Sequence, residues 1–223
     1  MLRVLNVISG LNKAGTEAVV MNYYRHIDRS KIQFDFLVLD KNEDLYYEHE
    51  INDLGGLVYK IHPFKKNPLR NILERRKFFK VHKYQIVEVH SPSALRFAYC
   101  RLAKKNGSKV IFHVHNSSKN SGLIVKYARK QIKKYCDETV TCSQNAALSV
   151  LGEMADKVVY NAINKSNYIF NQKVREFVRE HYGVANDEVL IGTIGRFCIQ
   201  KNQPFLIEVF AGAVKKNEKL KLF

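Results

Sequence analysis

Short apolar segments rich in β-branched residues alternate with longer segments of helical period along almost the whole chain. The alternation begins with Arg3–Ser9 and Thr16–His26 and continues through six further strand candidates to Val189–Gly195. Regular alternation of this kind is typical of a parallel sheet covered by helices on both faces, because each right-handed crossover packs its helix against the sheet. The sequence therefore predicts an α/β fold with a Rossmann-like, doubly wound parallel sheet.

The same pattern predicts how the chain divides into domains. Residues 1–165 contain enough alternating elements for one complete domain, and the charged segment 166–186 is predicted to be a helical linker. A new strand segment, VLIGTIGRF, then opens a second α/β unit over residues 187–223. Because segments below roughly 40 residues seldom enclose a core of their own, we expect an incomplete start of a second Rossmann-like domain.

Positive charge is concentrated in one part of the chain. Residues 60–136 contain 20 basic and two acidic residues, whereas the whole chain has a formal net charge of +16. A field of this kind indicates an anionic partner, namely nucleic acid, an acidic membrane surface or a phosphorylated ligand.

One segment of this basic region, NPLRNILERRKFFKVHK, combines basic with apolar side chains. An interfacial membrane helix has this composition, and a domain helix with a solvated basic face is the alternative. The apolar side chains concerned are those of Leu69, Ile72, Leu73, Phe78 and Phe79.

Other features bear on the compartment. The four cysteines are scattered with no CxxC pair, which excludes a zinc-finger spacing and predicts reduced thiols. No stretch reaches the roughly 18–20 apolar residues of a membrane span. The N-terminal segment MLRVLNVISG lacks the basic region and the cleavage site of a signal peptide. We therefore expect a cytoplasmic protein.

Two histidines stand together at the end of a strand segment. In FHVHNSS, His113 and His115 are two positions apart, so both imidazoles should project from one face of the strand while Phe112 and Val114 project from the other. Imidazole can exchange hydrogen bonds with sugar hydroxyls. A zinc site with His90 as a third ligand is an alternative, although no cysteine or carboxylate lies beside the pair. A buried structural role competes for His113, whereas the strand-end position of His115 favours function.

Two loops could bind phosphate groups. The segment SGLNKAGTE opens directly into a helix, where Gly15 allows close backbone approach and the free N–H groups can bind an anion. This segment matches neither the dinucleotide-binding fingerprint nor the P-loop fingerprint, so an ordinary turn between a strand and a helix is the alternative. In IGTIGRFCIQKN, Arg196 and Lys201 supply the two cations that a diphosphate requires; the alternative is a solvated turn.

The ordered set of motifs resembles a known family. AGTEAVVMNYYRHID, VEVHSP, VIFHVHNSS, VTCSQNAALSVLG, VVYNAIN and IGTIGRFCIQKNQPFLIEVF occur in the order found in the retaining glycosyltransferases of family 4, which have GT-B architecture. The resemblance is to bacterial enzymes of capsular and exopolysaccharide assembly. It implies an acceptor-binding N-terminal domain, a C-terminal domain that binds a nucleotide-sugar, and catalysis between the two without a metal ion or other cofactor.

The resemblance also implies roles for individual residues. His115 is implied to be the catalytic histidine that reaches the donor sugar. The implied donor-binding residues are Gly15, Thr16, Arg196 and Lys201. The remaining strand-end candidates, placed on the acceptor side, are His90, Asn116, Ser143 and Asn161.

The expected activity is hexosyl transfer from a nucleoside-diphosphate sugar to a lipid-linked saccharide, by a protein held peripherally at the inner face of the cell membrane through anionic lipid. The family's glutamate pair, seven residues apart, is expected to lie beyond Phe223. Two other readings stay open: a non-catalytic truncated product, and a basic membrane- or nucleic-acid-binding protein. No RNP-type, zinc-finger or helix-turn-helix motif supports nucleic acid as a partner.

Overall fold

A computed structural model of the chain describes residues 1–116, 121–199 and 201–223. These residues form two compact units, Met1–Asn164 and Lys165–Phe223. Each unit is built from strands and helices that alternate along the chain.

The first unit contains a sheet of seven parallel strands in the order β3-β2-β1-β4-β5-β6-β7. The strands are β1 Leu2–Ile8, β2 Ile32–Val38, β3 Val58–Lys60, β4 Ile86–His90, β5 Lys109–Val114, β6 Glu138–Thr141 and β7 Lys157–Val158. The helices are α1 Gly15–His26, α2 Glu48–Asp53, α3 Pro68–Val81, α4 Phe97–Lys105, α5 Leu123–Tyr135 and α6 Gln144–Leu151. The predicted Rossmann-like, doubly wound parallel sheet is confirmed.

Alternate residues of the strands supply two cores, one on each face of the sheet. On one face, strand residues such as Leu5, Val89 and Phe112 pack with residues of α3, α4, α5 and α6. On the other face, Ile8 and Phe36 pack with residues of α1 and α2. Helices therefore cover both faces, as the crossover rule requires of consecutive parallel strands.

Local sequence explains several helix ends. Pro68 occupies the first turn of α3, and the side chain of Asn67 accepts a hydrogen bond from the backbone N–H of Arg70. The helix α6 ends at Gly152, whose φ of 79° lies in the left-handed region that favours glycine. Before α4 the chain forms a 3₁₀ turn, Ala94–Arg96, in which the Ser93 hydroxyl accepts from the N–H of Leu95.

The second unit contains two parallel strands, β8 Val189–Ile191 and β9 Leu220–Leu222, with α7 Gln172–His181 and α8 Gln203–Val214. The sequence predicts α7 within a linker, but in the structure the helix lies inside this unit. The guanidinium of Arg179 on α7 donates 2.8 Å to the carbonyl oxygen of Glu188, immediately before β8. Within residues 203–214, no side chain of α8 is buried.

Candidate functional site

The order of the seven strands locates a crevice at the carboxyl edge of the sheet. In the sheet, β1 lies between β2 and β4. From β1 the strand order runs in one direction through β2 and β3, and in the opposite direction from β4 to β7. This reversal is a topological switch point, and ligands of open parallel sheets bind outside the strand ends at such points. Polar side chains of β1, β4 and β5 gather there, on the face covered by α1.

Three buried histidines form the centre of this group. His90 is the last residue of β4, His113 lies directly opposite it in β5, and His115 follows the end of β5. The exposed fractions of these three residues are 3%, 3% and 6%. The rings of His113 and His115 stack with centroids 4.1 Å apart. Phe112 and Val114 lie in the core of the opposite face, which confirms the predicted alternation along β5.

Hydrogen bonds connect this histidine cluster to the buried Asn6 of β1 and to the half-buried Glu88 of β4. Nδ1 of His90 lies 2.9 Å from Nε2 of His115, and Nε2 of His90 lies 3.0 Å from Oδ1 of Asn6 on β1. Nδ1 of His113 lies 2.7 Å from the Oε1 atom of Glu88 on β4. The cluster therefore extends across β1, β4 and β5, with His113 joined to His115 by stacking, and each ring is oriented by at least one hydrogen-bonded neighbour.

Burial keeps two of these histidines neutral. The pKa of His90 lies well below its ordinary value of 6.5, because the ring is removed from water and because His113 and Arg96 lie nearby. Burial, reinforced by His90 and His113, lowers the pKa of His115 to about 2. A neutral imidazole has one N–H donor and one bare nitrogen. These two residues can therefore donate and accept one hydrogen bond each.

The same three side chains are the group within the described residues that could hold a metal ion. One nitrogen of each ring can be chosen so that all three lie within 4.8 Å of one another. In the structure, however, Nδ1 of His90 and Nε2 of His115 share a proton in their 2.9 Å hydrogen bond. A metal bound to all three rings would have to displace that proton.

The loop after β1 and the start of α1 form the next part of the site. The guanidinium of Arg96 donates 2.7 Å to the hydroxyl of Ser9 and 3.1 Å to the carbonyl oxygen of His90, so it joins the ends of β1 and β4 at the switch point. The carboxyl group of Glu17 is buried in the first turn of α1. Burial raises its pKa, and the charge of Arg96 partly opposes that rise.

Gly15 and Thr16, predicted to approach the donor, are the first two residues of α1. Gly15 is exposed and Thr16 is half-buried. A Cβ atom built on Gly15 would meet no protein atom within 4 Å. The structure of the chain thus imposes no need for glycine at this position, and its role toward a ligand stays a prediction.

The acceptor-side candidates other than His90 occupy different environments. Asn116 is exposed, and Ser117–Asn120, which follow it, lie outside the described residues. The Ser143 hydroxyl accepts from the N–H of Ala146 and so caps α6. Asn161 is exposed in the segment that α1 holds through Asn22, whose amide donates 2.8 Å to the carbonyl oxygen of Ala162. Among the described residues, His90 is the one acceptor-side candidate whose side chain makes a hydrogen bond to His115.

Arg196 and Lys201 belong to the second unit. Both are exposed and lie in the loop between β8 and α8. A Cβ atom on Gly195 would come within 3.3 Å of the Lys201 stem, so this glycine allows the lysine to lie against the backbone. Gln203 donates 2.8 Å to the carbonyl oxygen of Arg196 and steadies the same loop. Two cations on one loop suit a diphosphate group.

The sequence reasoning missed three members of the site. Asn6 and Glu88 are polar residues inside the apolar segments RVLNVIS and QIVEVHS, and a polar side chain in a buried strand is a signal that could have identified both. Arg96 carries no such signal, because the sequence pattern does not distinguish it from the other basic residues of this region.

A basic surface with exposed apolar side chains surrounds part of the first unit. The sequence places Phe78 and Phe79 among the side chains of an interfacial helix, but both pack in the core, so that expectation is wrong for them. Leu69 and Leu73 of α3 are exposed. At the start of α5, Leu123 and Ile124 are 83% and 73% exposed. Among the described residues, every helix is too short or too polar to cross a membrane.

Comparison with known proteins gives the class of the molecule. A model of the family described as Glycosyltransferase Family 4 matches residues 14–167, well over half of the sequence. The chain belongs to glycosyltransferase family 4. The match includes the helix α1, the histidine cluster and the six strands from β2 to β7.

Individual relatives agree with this assignment. EpsF of Bacillus subtilis (strain 168), named as a glycosyltransferase, is 30% identical over 223 residues, which cover 94% of this chain and 58% of EpsF. A structure of Anabaena HepE in complex with UDP and glucose aligns with a TM-score of 0.75 at 16% identity, over 100% of this chain and 60% of HepE. A glycosyltransferase from Rickettsia africae ESF-5 aligns with a TM-score of 0.70 at 17% identity, over 100% and 68%. The chain therefore spans about three fifths of the length of EpsF and HepE.

Proposed function

We propose that the chain takes part in hexosyl transfer from a nucleoside-diphosphate sugar to a lipid-linked saccharide during capsular or exopolysaccharide synthesis. The observation that carries the proposal is the buried histidine cluster at the switch point of a family 4 sheet, where His115 directly follows β5. The complex of HepE with UDP and glucose supports a nucleoside-diphosphate sugar as the donor class.

In this proposal, His115 contacts the transferring sugar, and the start of α1, with Gly15 and Thr16, approaches the donor phosphates. Arg196 and Lys201 bind the diphosphate and stabilise the negative charge that grows on it as the glycosidic bond breaks. Because two side-chain cations supply the charge compensation, the proposal includes no metal ion and no other cofactor. Asn116 and Asn161, exposed near the same strand ends, are proposed to contact the acceptor.

The acceptor side is proposed to face an anionic membrane. The helix α5 begins near the end of β5, so exposed Leu123 and Ile124 lie on the side of the sheet edge that His115 occupies. The same helix carries Lys126, Lys130 and Lys133. Apolar side chains beside lysines are suited to the headgroup region, where each basic residue contributes about 1 kcal/mol. This arrangement supports peripheral attachment at the inner face of the cell membrane.

The test is a transfer assay with a panel of nucleoside-diphosphate sugars and a bacterial membrane lipid extract. The chain is assayed alone and joined after Phe223 to the part of EpsF that lies beyond the matched residues. We expect the joined protein to release nucleoside diphosphate and to label lipid, and His115→Ala to abolish both. His49→Ala, at an exposed helix position, is the matched control. Sugar transfer that persists in His115→Ala would contradict the proposal. A joined protein that transfers no sugar from any donor of the panel would also contradict it.

A further inference from the structure

The hydrogen bonds within the histidine cluster run in one direction, and Asn6 sets that direction. Asn6 is fully buried on β1, and its Nδ2 atom faces the carbonyl oxygens of Val4 and Asp35, each at 3.5 Å. A carbonyl oxygen accepts hydrogen bonds but cannot donate them. The donating side of the amide must therefore face those two oxygens, and its oxygen Oδ1 faces Nε2 of His90 at 3.0 Å.

This orientation determines where His90 holds its proton. Because Oδ1 of Asn6 can only accept, the N–H of His90 is on Nε2, and Nδ1 of the neutral ring is bare. That bare nitrogen lies 2.9 Å from Nε2 of His115 and must accept from it. His115 therefore carries its proton on Nε2, and its Nδ1 atom bears a lone pair.

His113 is held the opposite way. The Oε1 atom of Glu88 accepts from Nδ1 of His113 at 2.7 Å, which leaves Nε2 as the second nitrogen of that ring. Within the described part of the chain, both Nε2 of His113 and Nδ1 of His115 are buried and lack a hydrogen-bond partner. A proton on either atom would be a buried donor without an acceptor, which is costly. The two stacked rings thus have opposite tautomers.

We propose that Asn6 and His90 are positioning residues that hold the proton of His115 on Nε2 and so present its Nδ1 atom as a hydrogen-bond acceptor. A hydroxyl group that reaches this buried nitrogen can donate to it, whereas a carbonyl or phosphate oxygen cannot. The consequence for catalysis rests on the proposed function, but the assignment of the tautomers does not. Neither Asn6 nor His90 is required to touch the sugar.

The tautomers can be measured directly on the chain of residues 1–223 labelled with ¹⁵N. A long-range ¹H–¹⁵N spectrum of the imidazoles distinguishes protonated from bare ring nitrogens, and single His→Gln variants assign the rings. At pH 7.5 we expect His90 and His115 to carry their protons on Nε2, and His113 on Nδ1. A wild-type spectrum with the His115 proton on Nδ1 would overturn the proposal by itself, and so would zinc binding that shifts all three rings at equimolar metal.

Variants of His90 separate positioning from general packing. In His90→Asn the amide oxygen can replace Nδ1 as the acceptor, so we expect His115 to keep its Nε2 proton. His90→Leu removes the acceptor, and we expect a mixture of His115 tautomers. Asn6→Leu acts one step earlier and should also produce a mixture, while His49→Leu, at an exposed position, should leave His115 unchanged. An unaltered His115 tautomer in both folded leucine variants would overturn the proposal.

The transfer assay supplies the second readout. In the protein joined to the rest of EpsF, we expect Asn6→Leu and His90→Leu to lower kcat about tenfold to a hundredfold, the range that follows when a metal-binding histidine loses the partner of its other ring nitrogen. We expect His90→Asn to recover most of that loss with little change in KM. Equal kcat in His90→Asn and His90→Leu would overturn the positioning role. The predicted tautomers without any sugar transfer would instead refute the proposed function.

Discussion

The Oε1 atom of Glu88 lies 2.7 Å from Nδ1 of His113, on the strand next to it in the sheet. Residues 60–136 contain two acidic residues, and each is paired with a histidine. The other, Glu74, lies 2.8 Å from Nδ1 of His62. Acidic residues outside the region pair with four of its lysines, namely Lys60, Lys104, Lys109 and Lys133, and so compensate part of its positive charge.

The pair of Glu88 and His113 leads to a prediction about stability. We expect His113→Ala to lower the free energy of unfolding by about 2–4 kcal/mol, because it removes a buried ring and leaves the Glu88 carboxylate without its partner. Urea denaturation followed by circular dichroism measures the change. The exposed control His49→Ala should stay within about 0.5 kcal/mol of the wild type. Full stability in His113→Ala would show that the ring has no packing role.

The lowered pKa values of His90 and His115 predict that the protein loses stability in mild acid. Both rings are neutral when folded but bind a proton near pH 6.5 when unfolded. Their stabilising contribution is therefore complete above pH 6.5 and falls as the pH drops. Each ring should contribute about 1.4 kcal/mol per pH unit, or roughly 2.7 kcal/mol per unit together.

The measurement is a series of urea denaturation curves between pH 7.5 and pH 5. The charged neighbours of the two rings are Glu88 and Arg96. Carboxylates with lowered pKa values, such as Asp137, act at lower pH, below roughly pH 4.5. His115→Asn should remove about half of the slope, whereas His49→Asn should leave it intact. If the free energy of unfolding changes with pH equally in the wild type, His115→Asn and His49→Asn, the lowered pKa of His115 is refuted.

The diphosphate-binding role of Arg196 and Lys201 predicts an effect on turnover rather than on donor binding. In the protein joined to the rest of EpsF, we expect Arg196→Ala or Lys201→Ala to raise the barrier by about 2–4 kcal/mol, because leaving-group charge is largest in the transition state. The measurement is kcat together with the donor Kd. Lys215→Ala, in the same unit, serves as the control. Weaker binding at constant kcat would contradict a role in transition-state stabilisation.

The basic and apolar surface of α5 predicts membrane association driven by charge. Co-sedimentation with vesicles should rise with anionic lipid and fall between about 0.05 and 0.5 M salt, because screening shortens to a few ångströms. Replacing both Leu123 and Ile124 by serine should weaken binding further, while Leu148→Ser, an exposed leucine of α6, should not. Equal binding to neutral vesicles at high salt would exclude this mode of attachment.

Much of the fold follows from patterns that are local in the sequence. The apolar segments RVLNVIS, FDFLVLD and VIFHV mark β1, β2 and β5, because a strand buried on both faces needs a nearly continuous apolar run. Periodicity is less informative at the surface of α3, where it failed to distinguish buried Phe78 from exposed Leu73. Both lie on a helix rich in basic residues, and only the neighbouring elements determine which side of it is covered.

The sequence by itself determined the alternation of strands and helices, the family resemblance and the position of His115 at a strand end. Only the tertiary structure decided that β1 lies beside β4, which brings Asn6 to 3.0 Å from a histidine 84 positions away. A strand's own pattern specifies that it is buried but not which parallel strand becomes its neighbour, since crossovers permit several orders. The hydrogen bonds of the histidine cluster, and with them the protonated nitrogen of each ring, depend on that choice of neighbours.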